Sequence, residues 1–399
     1  MADNLGRAAA PTGTTAPTTT RPRLHYLDNL RIALTALVVL HHTAVTYSHI
    51  PAWYYTEPAK DGSGLLLDVF LMLNQAFFMG FFFMIAGYFT PPSYERKGAG
   101  AFLRDRLKRL GIPLLLFLLL IRPLTDFGGF LHLRSVFAER GDALPYWLYY
   151  LMSWDAGPLW FAEVLLVFAL LYVLARRLRT RRAMTVPTVD ANAQLSLSRP
   201  LRAGTIVLFT AGLVLATYAW RIAVPTGTYV PFLGLPTPSY LMQYASFFAV
   251  GVVARRRGWP ETLSRRAGRL GFAAAGAATL AYLPVVLTAP DRTLDGHGTW
   301  QSLLAAAWES VFAVSMVIGL TVVFRERLNR QGRTAGFLSR HAFAVYVLHA
   351  PVLVGLGHAF RWLHAPAAAK FALVAVLALP ACWAVAYAAR RLPRADRVL

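Results

Sequence analysis

The stretch NLRIALTALVVLHHTAVTYS, residues 29–48, decides the fold class of this chain. It is almost wholly apolar, and about 20 such residues are needed to cross a bilayer as a helix. Comparable stretches recur along the chain and are separated by proline, glycine and charged loops. Because lipid offers no partner to free backbone groups, each stretch is predicted to be a helix. The ten predicted segments are residues 29–48, 65–90, 111–131, 158–175, 203–222, 238–254, 270–288, 301–324, 341–360 and 366–389.

The composition also indicates a membrane protein. Of the 399 residues, 56% are hydrophobic and only 15% are charged, whereas soluble domains have about 25% charged residues. The single cysteine, Cys382, excludes an intrachain disulfide and a cysteine-based metal cluster. We therefore predict an all-α, polytopic integral membrane protein with about ten transmembrane helices. Its predicted parts are a disordered cytoplasmic tail over residues 1–23, a membrane domain over 24–389 and a basic cytoplasmic tail over 390–399.

The net charge of +21 is a topology signal. Of the 40 Lys and Arg residues, 31 fall in the two tails and in the loops that follow predicted helices 2, 4, 6 and 8. Only five fall in the loops that follow helices 1, 3, 5, 7 and 9. By the positive-inside rule, both termini are predicted to be cytoplasmic, in a multi-pass protein of the plasma membrane. Positive charge spread along one membrane face does not indicate a nucleic-acid partner. In the first outer loop, Trp53-Tyr54-Tyr55 is interpreted as part of an interfacial aromatic belt.

Ionisable side chains inside the predicted helices are costly in lipid and are therefore functional candidates. Arg31 and His42 are eleven residues apart, close to three helical turns, so they share one face about 16 Å apart along the axis. His41 points about 100° away from that face. The other candidates are His349 near mid-depth of its helix, and Asp68, Asp126, Glu163 and Glu309 in the outer halves of theirs.

Several candidates also have a structural interpretation. His42 would be a core histidine bonded to a neighbouring helix, and Asp68 would lie at the membrane interface. Arg31 placed at the inner headgroups would contribute only to topology. Arg122 lies one turn before Asp126, and the two would form a structural ion pair. Glu163 and Glu309 would line an aqueous cavity without taking part in chemistry.

Several motifs along these segments resemble membrane acyltransferase family 3. The first is Arg31 followed by ten residues and His42, the spacing that this family has in its first helix. The others are FFFMIAGYF over residues 81–89, FLRDRLKRL over 102–110 before Ile112-Pro113, GPLWF over 157–161 with Glu163 after it, and YVLHAP over 346–351. One position departs from the family, which often has serine where this chain has Ala86. A hydroxyl role at that position is therefore not expected.

The resemblance implies transfer of an acyl group, commonly acetyl, from a cytoplasmic thioester to a hydroxyl on the other side of the membrane. Arginine suits the phosphates of an acyl-CoA donor, so Arg31, Arg106 and Arg109 are predicted to bind it at the inner mouth. His42 is predicted to be the general base, with direct attack and a transient acyl-imidazole both left open. Glu163 is predicted to hold the tautomer of His42 or to bind acceptor hydroxyls.

The acceptor is expected to be a carbohydrate or a glycoconjugate, and a lipid headgroup or a small glycoside fits as well. The acceptor-side candidates are Asp126, Glu309, His349 and Trp160. Neither a metal site nor a bound cofactor is predicted, because acyl-CoA is a substrate. The alternative function is a multi-pass transporter of a small polar or glycosylated molecule, since transporters also bury ionisable groups around a mid-membrane cavity.

Overall fold

The computed structural model describes residues 24–50, 53–183, 200–230 and 234–399, so the predicted disordered tail over residues 1–23 lies outside the described residues. Apart from one isolated bridge between Val230 and Leu235, the regular structure in this part of the chain is helical, which confirms the all-α class. The α-helices are α1 His25–Tyr47, α2 Gly64–Arg106, α3 Ile112–Leu116, α4 Arg122–Thr125, α5 Phe127–Glu139, α6 Tyr146–Met152, α7 Trp160–Ala183, α8 Ala203–Ala223, α9 Leu241–Arg257, α10 Trp259–Thr262, α11 Arg265–Thr288, α12 Trp300–Arg327, α13 Arg333–Ala359 and α14 Ala367–Arg390.

Irregular turns connect several of these helices. π-helical turns over Leu107–Gly111 and Phe117–Ile121 flank α3, and 3₁₀ turns over Gly157–Leu159 and Pro238–Tyr240 lead into α7 and α9. Helix α2 has a break at Gly98, where φ is +75°. Only glycine adopts this conformation at little cost, so Gly98 permits the break that precedes Arg104 and Arg106 in the last turn of α2.

Among the described residues, eight helical stretches are long and apolar enough to cross a membrane, and the protein is polytopic. This number is lower than the ten predicted segments for two reasons. The stretch Gly64–Thr125 is continuous over 62 residues and covers the predicted second segment and most of the third. Helix α9, which overlaps the predicted sixth segment, has only 17 residues. The eight stretches are His25–Tyr47, Gly64–Thr125, Tyr146–Thr180, Ala203–Ala223, Arg265–Thr288, Trp300–Arg327, Arg333–Ala359 and Ala367–Arg390.

Helices α2 and α9 pack closely and run parallel. The side-chain amide of Gln243 donates to the carbonyl oxygen of Ala76 at 2.8 Å, and Arg255 donates to the hydroxyl of Tyr88 at 3.3 Å. A Cβ atom at Gly251 would lie 2.0 Å from a backbone oxygen of α2, so only glycine permits this approach. The short α9 is thus held inside the bundle along the apolar part of α2.

Helix α1 lies at the centre of the bundle, in contact with α2, α12, α13 and α14. Its residues Leu30, Leu34 and Val39 are fully buried among these neighbours. By contrast, α11 presents Leu280 and Leu287 outward, as a helix that faces lipid would. His41 and His42 of α1 are therefore surrounded by protein, the position expected for functional groups in a membrane protein.

Candidate functional site

The two consecutive histidines of α1 face different neighbours, as their helical spacing predicts. The Nδ1 atom of His41 lies 3.2 Å from the side-chain nitrogen of Asn74 on α2, and its ring packs on Phe78 with ring centres 5.0 Å apart. His42 faces α13, and its ring centre lies 5.2 Å from that of His349. The structure therefore brings together two of the predicted site residues, His42 and His349.

A third ring completes this arrangement. The indole of Trp53, in the connection between α1 and α2, lies flat on His42, with ring centres 3.9 Å apart and planes inclined by 19°. The ring centres of Trp53 and His349 are 6.1 Å apart. We call His42, His349 and Trp53 the ring cluster. The assignment of Trp53 to an aromatic belt is wrong, because its ring packs on a histidine of the central helix.

Each ring of the cluster carries a buried nitrogen that has no hydrogen-bond partner among the described residues. These atoms are Nδ1 of His42, Nε2 of His349 and Nε1 of Trp53. Buried polar groups in proteins are nearly always hydrogen-bonded, so three unpaired nitrogens in adjacent rings indicate a place where polar groups act on a ligand. Within the described residues, no three His, Cys, Asp or Glu side chains are grouped so that they could hold a metal ion.

Glu163 lies in the first turn of α7, close to the helix that carries His349. The start of α7 is fixed to α13 because the hydroxyl of Tyr346 donates to the carbonyl oxygen of Pro158 at 2.6 Å. The ring of Phe161 also packs on Tyr346, with ring centres 5.9 Å apart. No hydrogen bond in the described part of the chain joins Glu163 to either histidine of the ring cluster. Its catalytic role remains a prediction.

We expect the substitution Glu163→Gln to lower the rate of group transfer at least tenfold, because a general acid or base contributes about 10²–10⁴-fold and glutamine has the same shape without the charge. The measurement is kcat for transfer by purified protein in liposomes. The matched control is Glu139→Gln, which removes an exposed carboxylate at the end of α5. Equal rates for the two variants would exclude a special role for Glu163.

A second set of polar side chains lies beside the ring cluster, around Arg122. Its Nη2 atom lies 3.4 Å from Asp126 and 3.1 Å from Asp155, and the hydroxyl of Tyr149 donates to Asp126 at 2.7 Å. The predicted pairing of Arg122 with Asp126 is confirmed. We call these four residues together with Tyr54 the Arg122 cluster. It has two carboxylates for one guanidinium. Within the part of the chain that the structure describes, Nε and Nη1 of the buried Arg122 have no hydrogen-bond partner.

Tyr54 connects the two clusters. Its ring centre lies 5.1 Å from that of Trp53, and its hydroxyl donates to Asp155 at 3.4 Å. Burial and the nearby Asp155 carboxylate raise the pKa of the Tyr54 hydroxyl well above its usual range, so it remains a neutral donor. Asp155 was not predicted as a site residue. The signal that would have found it is its place two residues before Gly157, whose backbone N–H donates to it at 2.6 Å.

Glu309 lies in a different part of the bundle. One carboxylate oxygen accepts from Arg221 at 2.6 Å and the other accepts from the hydroxyl of Tyr240 at 3.1 Å. Trp160 lies in the adjacent aromatic core, where its ring centre is 5.4 Å from that of Tyr244. Both oxygens of Glu309 therefore have protein partners, and this ion pair joins α8 to α12.

The three predicted donor-binding arginines lie on α1 and near the C-terminal end of α2. Arg31 pairs with Asp28 at 3.7 Å, with 39% of its side chain exposed. Arg109 pairs with Asp105 at 3.2 Å and is 65% exposed, and the Arg106 guanidinium lies over the ring of Phe102. An ion pair between exposed side chains contributes little to stability, so Arg109 can exchange Asp105 for an anionic ligand.

The chain is similar to known proteins over most of its length. A family model described as an acyltransferase domain matches residues 24–387. Glucans biosynthesis protein C of Escherichia coli O157:H7 is 26% identical over 351 residues, which are 84% of this chain and 83% of that protein. The protein of the same name from Escherichia coli strain K12 is 25% identical over a stretch of the same length. No solved structure gives a significant match.

Proposed function

Since the chain belongs to acyltransferase family 3, and is thus an acyltransferase for groups other than aminoacyl groups, we propose that it moves an acyl group from a cytoplasmic acyl-CoA to a carbohydrate hydroxyl. The ring cluster is the observation that carries this proposal. It offers unpaired nitrogens, two of them on histidines, at the centre of a membrane-spanning bundle. Two histidines beside a cluster of carboxylates and tyrosines suit a reaction that removes a proton from a hydroxyl.

The proposed acyl group is acetyl, and the proposed acceptor is a glucan or a related carbohydrate. The names of the relatives support the acceptor, because they refer to glucan biosynthesis. The Arg122 cluster supports it as well, since carboxylates, an arginine and tyrosine hydroxyls are suitable partners for sugar hydroxyls. Asp126 and Asp155 would accept hydrogen bonds from the sugar, and Arg122 would donate them.

The proposed reaction is direct transfer with His42 as the general base. His42 takes the proton of the acceptor hydroxyl while its oxygen attacks the thioester carbon. A carbon–oxygen bond forms, the carbon–sulfur bond breaks, and the proton returns from His42 to the leaving sulfur. The products are the ester and free coenzyme A, so no oxidant, metal or further reactant is required.

We also propose ten membrane crossings, with both termini in the cytoplasm of a plasma-membrane protein. The 62 residues of Gly64–Thr125 would be about 93 Å long as one helix, about three times the hydrocarbon thickness, so they supply two crossings. Helix α9 supplies another, because its 3₁₀ turn lengthens it and α2 packs beside it. The parallel direction of α2 and α9 supports this topology, which places both on even-numbered crossings.

At the cytoplasmic end, Arg31, Arg106 and Arg109 are the proposed binding groups for the phosphates of the donor. We expect the double substitution Arg106→Ala with Arg109→Ala to raise the donor Kd at least tenfold, because a hydrogen bond to a charged group contributes about 1.5–3 kcal/mol. The measurement is binding of labelled acyl-CoA to purified protein. The matched control is Arg266→Ala with Arg269→Ala, exposed arginines with the same spacing on α11. Equal donor affinity in the two variants would remove Arg106 and Arg109 from the site.

The experiment that tests the function uses purified wild-type protein in liposomes with labelled acetyl-CoA and a panel of glucans. We expect label to appear on the glucan in a base-labile ester and free coenzyme A to be released in equal amounts. Protein heated until it unfolds is the negative control. Folded protein that neither binds acetyl-CoA nor releases coenzyme A would contradict the proposed donor, and acyl-CoAs with other acyl groups would show whether only the acetyl group is wrong.

A further inference from the structure

The three ring distances define where His349 lies relative to His42. The ring centres are 3.9 Å apart for His42 and Trp53, 5.2 Å for His42 and His349, and 6.1 Å for Trp53 and His349. These distances form a triangle with an angle of about 83° at His42. Since Trp53 covers the face of His42, His349 lies beside its edge. Imidazole nitrogens are at the ring edge, where they donate and accept hydrogen bonds.

The backbone fixes the tautomer of His349. Its Nδ1 atom lies 2.8 Å from the carbonyl oxygen of Tyr346. A carbonyl oxygen can only accept, so Nδ1 of His349 carries the hydrogen. In the neutral ring, Nε2 then has a lone pair and no hydrogen. This atom is buried, and no described residue forms a hydrogen bond with it. His349 therefore has an unused hydrogen-bond acceptor on a ring whose centre lies 5.2 Å from that of His42.

His42 requires a hydrogen-bond acceptor at Nδ1 if it is to act as the base. If its Nε2 atom is the base, Nδ1 must carry the hydrogen and requires an acceptor to hold that tautomer. Nδ1 of His42 is buried, and the described residues provide no hydrogen-bond partner for it, whether a carboxylate or another group. Two imidazole nitrogens joined by a hydrogen bond of about 2.9 Å place the ring centres about 5 Å apart, close to the observed 5.2 Å. The χ2 torsion of histidine is soft, so the two nitrogens can turn toward each other at this ring distance.

We propose that His349 is the positioning residue of His42: Nε2 of His349 accepts the hydrogen of Nδ1 of His42 and leaves Nε2 of His42 free to act as the base. The orienting acceptor is thus an imidazole held by a backbone carbonyl, in the place where a carboxylate stands in a Ser-His-Asp triad. This inference rests on the proposed function, because it requires His42 to be the base.

The test compares His349→Leu with His349→Gln. Leucine removes the acceptor, whereas glutamine places an amide oxygen near the position of Nε2. We expect kcat to fall about 10- to 100-fold in His349→Leu, as for other partners that orient a histidine, with the KM values for donor and acceptor little changed. His349→Gln is expected to recover most of the lost rate. The matched control is His341→Leu, which removes another buried histidine of α13 whose Nδ1 lies 2.7 Å from a backbone carbonyl oxygen.

A spectroscopic measurement separates this role from a merely structural one. In protein labelled with ¹⁵N-histidine, the His42 signals are identified by their loss in His42→Gln. We expect Nδ1 of His42 to carry the hydrogen in wild type and in His349→Gln. In His349→Leu the hydrogen is expected to move to Nε2, the tautomer that free histidine prefers.

An unchanged tautomer of His42 in folded His349→Leu would overturn the inference, and so would full kcat in that variant. These outcomes are distinct from a failure of the proposed function. If His42→Ala transfers acyl groups as fast as wild type, the base itself is wrongly assigned. If His42→Ala is inactive but His349→Leu is fully active, only the positioning role is wrong.

Discussion

Replacing His42 with alanine is expected to lower the rate of acyl transfer by about 10²–10⁴-fold, the usual contribution of a positioned general base. Donor affinity should stay within about twofold, since the arginines proposed to bind the donor are unchanged and phosphate contacts supply most of the binding. Trp53 loses the ring on which it lies, but the substituted site is bordered by His349 and α13, so the fold is expected to persist. The measurement is transfer of labelled acetyl groups to a glucan, with donor binding measured on the same preparation.

The matched control for this variant is His41→Ala. His41 is at the same depth of α1 but faces Asn74 and Phe78 on α2, away from the ring cluster. Its loss should change transfer by less than about tenfold, since it removes packing and one hydrogen bond worth about 1 kcal/mol. Transfer that falls equally in both variants would indicate general damage to the bundle, and an unimpaired His42→Ala would exclude His42 as the base.

The second large effect is expected at the ion pair of Arg221 and Glu309. Arg221 is completely buried and Glu309 is 8% exposed. Removing one partner of a buried ion pair leaves an uncompensated charge and costs about 3–5 kcal/mol. We therefore expect Arg221→Met to lose most of its monodisperse folded protein in detergent and to unfold at a markedly lower temperature than wild type.

A second substitution makes this prediction specific. Adding Glu309→Gln to Arg221→Met removes the unpaired charge and should recover most of the folded protein and of the unfolding temperature. Transfer by the double variant also tests the predicted acceptor role of Glu309. A normal acceptor KM would assign the residue to the ion pair alone, whereas a raised KM would support contact with the acceptor. An Arg221→Met variant as stable as wild type would contradict the structural account.

The fold class and the placement of Arg31 and His42 on one face of α1 follow from the sequence, because both depend on local periodicity. Twenty apolar residues predict a membrane helix, and a spacing of eleven residues places two side chains on one face whatever packs against them. The divergence of His41 from His42 has the same local cause. These predictions need no knowledge of which helices are neighbours.

The ring cluster does not follow from the sequence for the opposite reason. His42, Trp53 and His349 meet only after α1 and α13, distant in the sequence, pack together. Trp53 was misinterpreted because an aromatic residue in an outer loop is usually interfacial, and nothing local distinguishes one that folds inward. Asp155 was missed because it lies in a loop, where hydrophobic periodicity gives no signal. The connection between the predicted second and third segments is helical in the structure, so Gly64–Thr125 forms one continuous stretch. The charged residues of this connection had indicated a loop.

The position of Trp53 affects how much of the donor would be lost to hydrolysis by water. Ring centres 3.9 Å apart leave no space for a layer of water between the indole and His42. A thioester bound at this histidine would contact the indole on that side. Water, which competes with the acceptor as a nucleophile, would therefore be excluded from the thioester carbonyl. Hydrolysis of the thioester donor in the absence of acceptor should consequently be slow. Replacing Trp53 with a smaller residue should increase the rate of this hydrolysis.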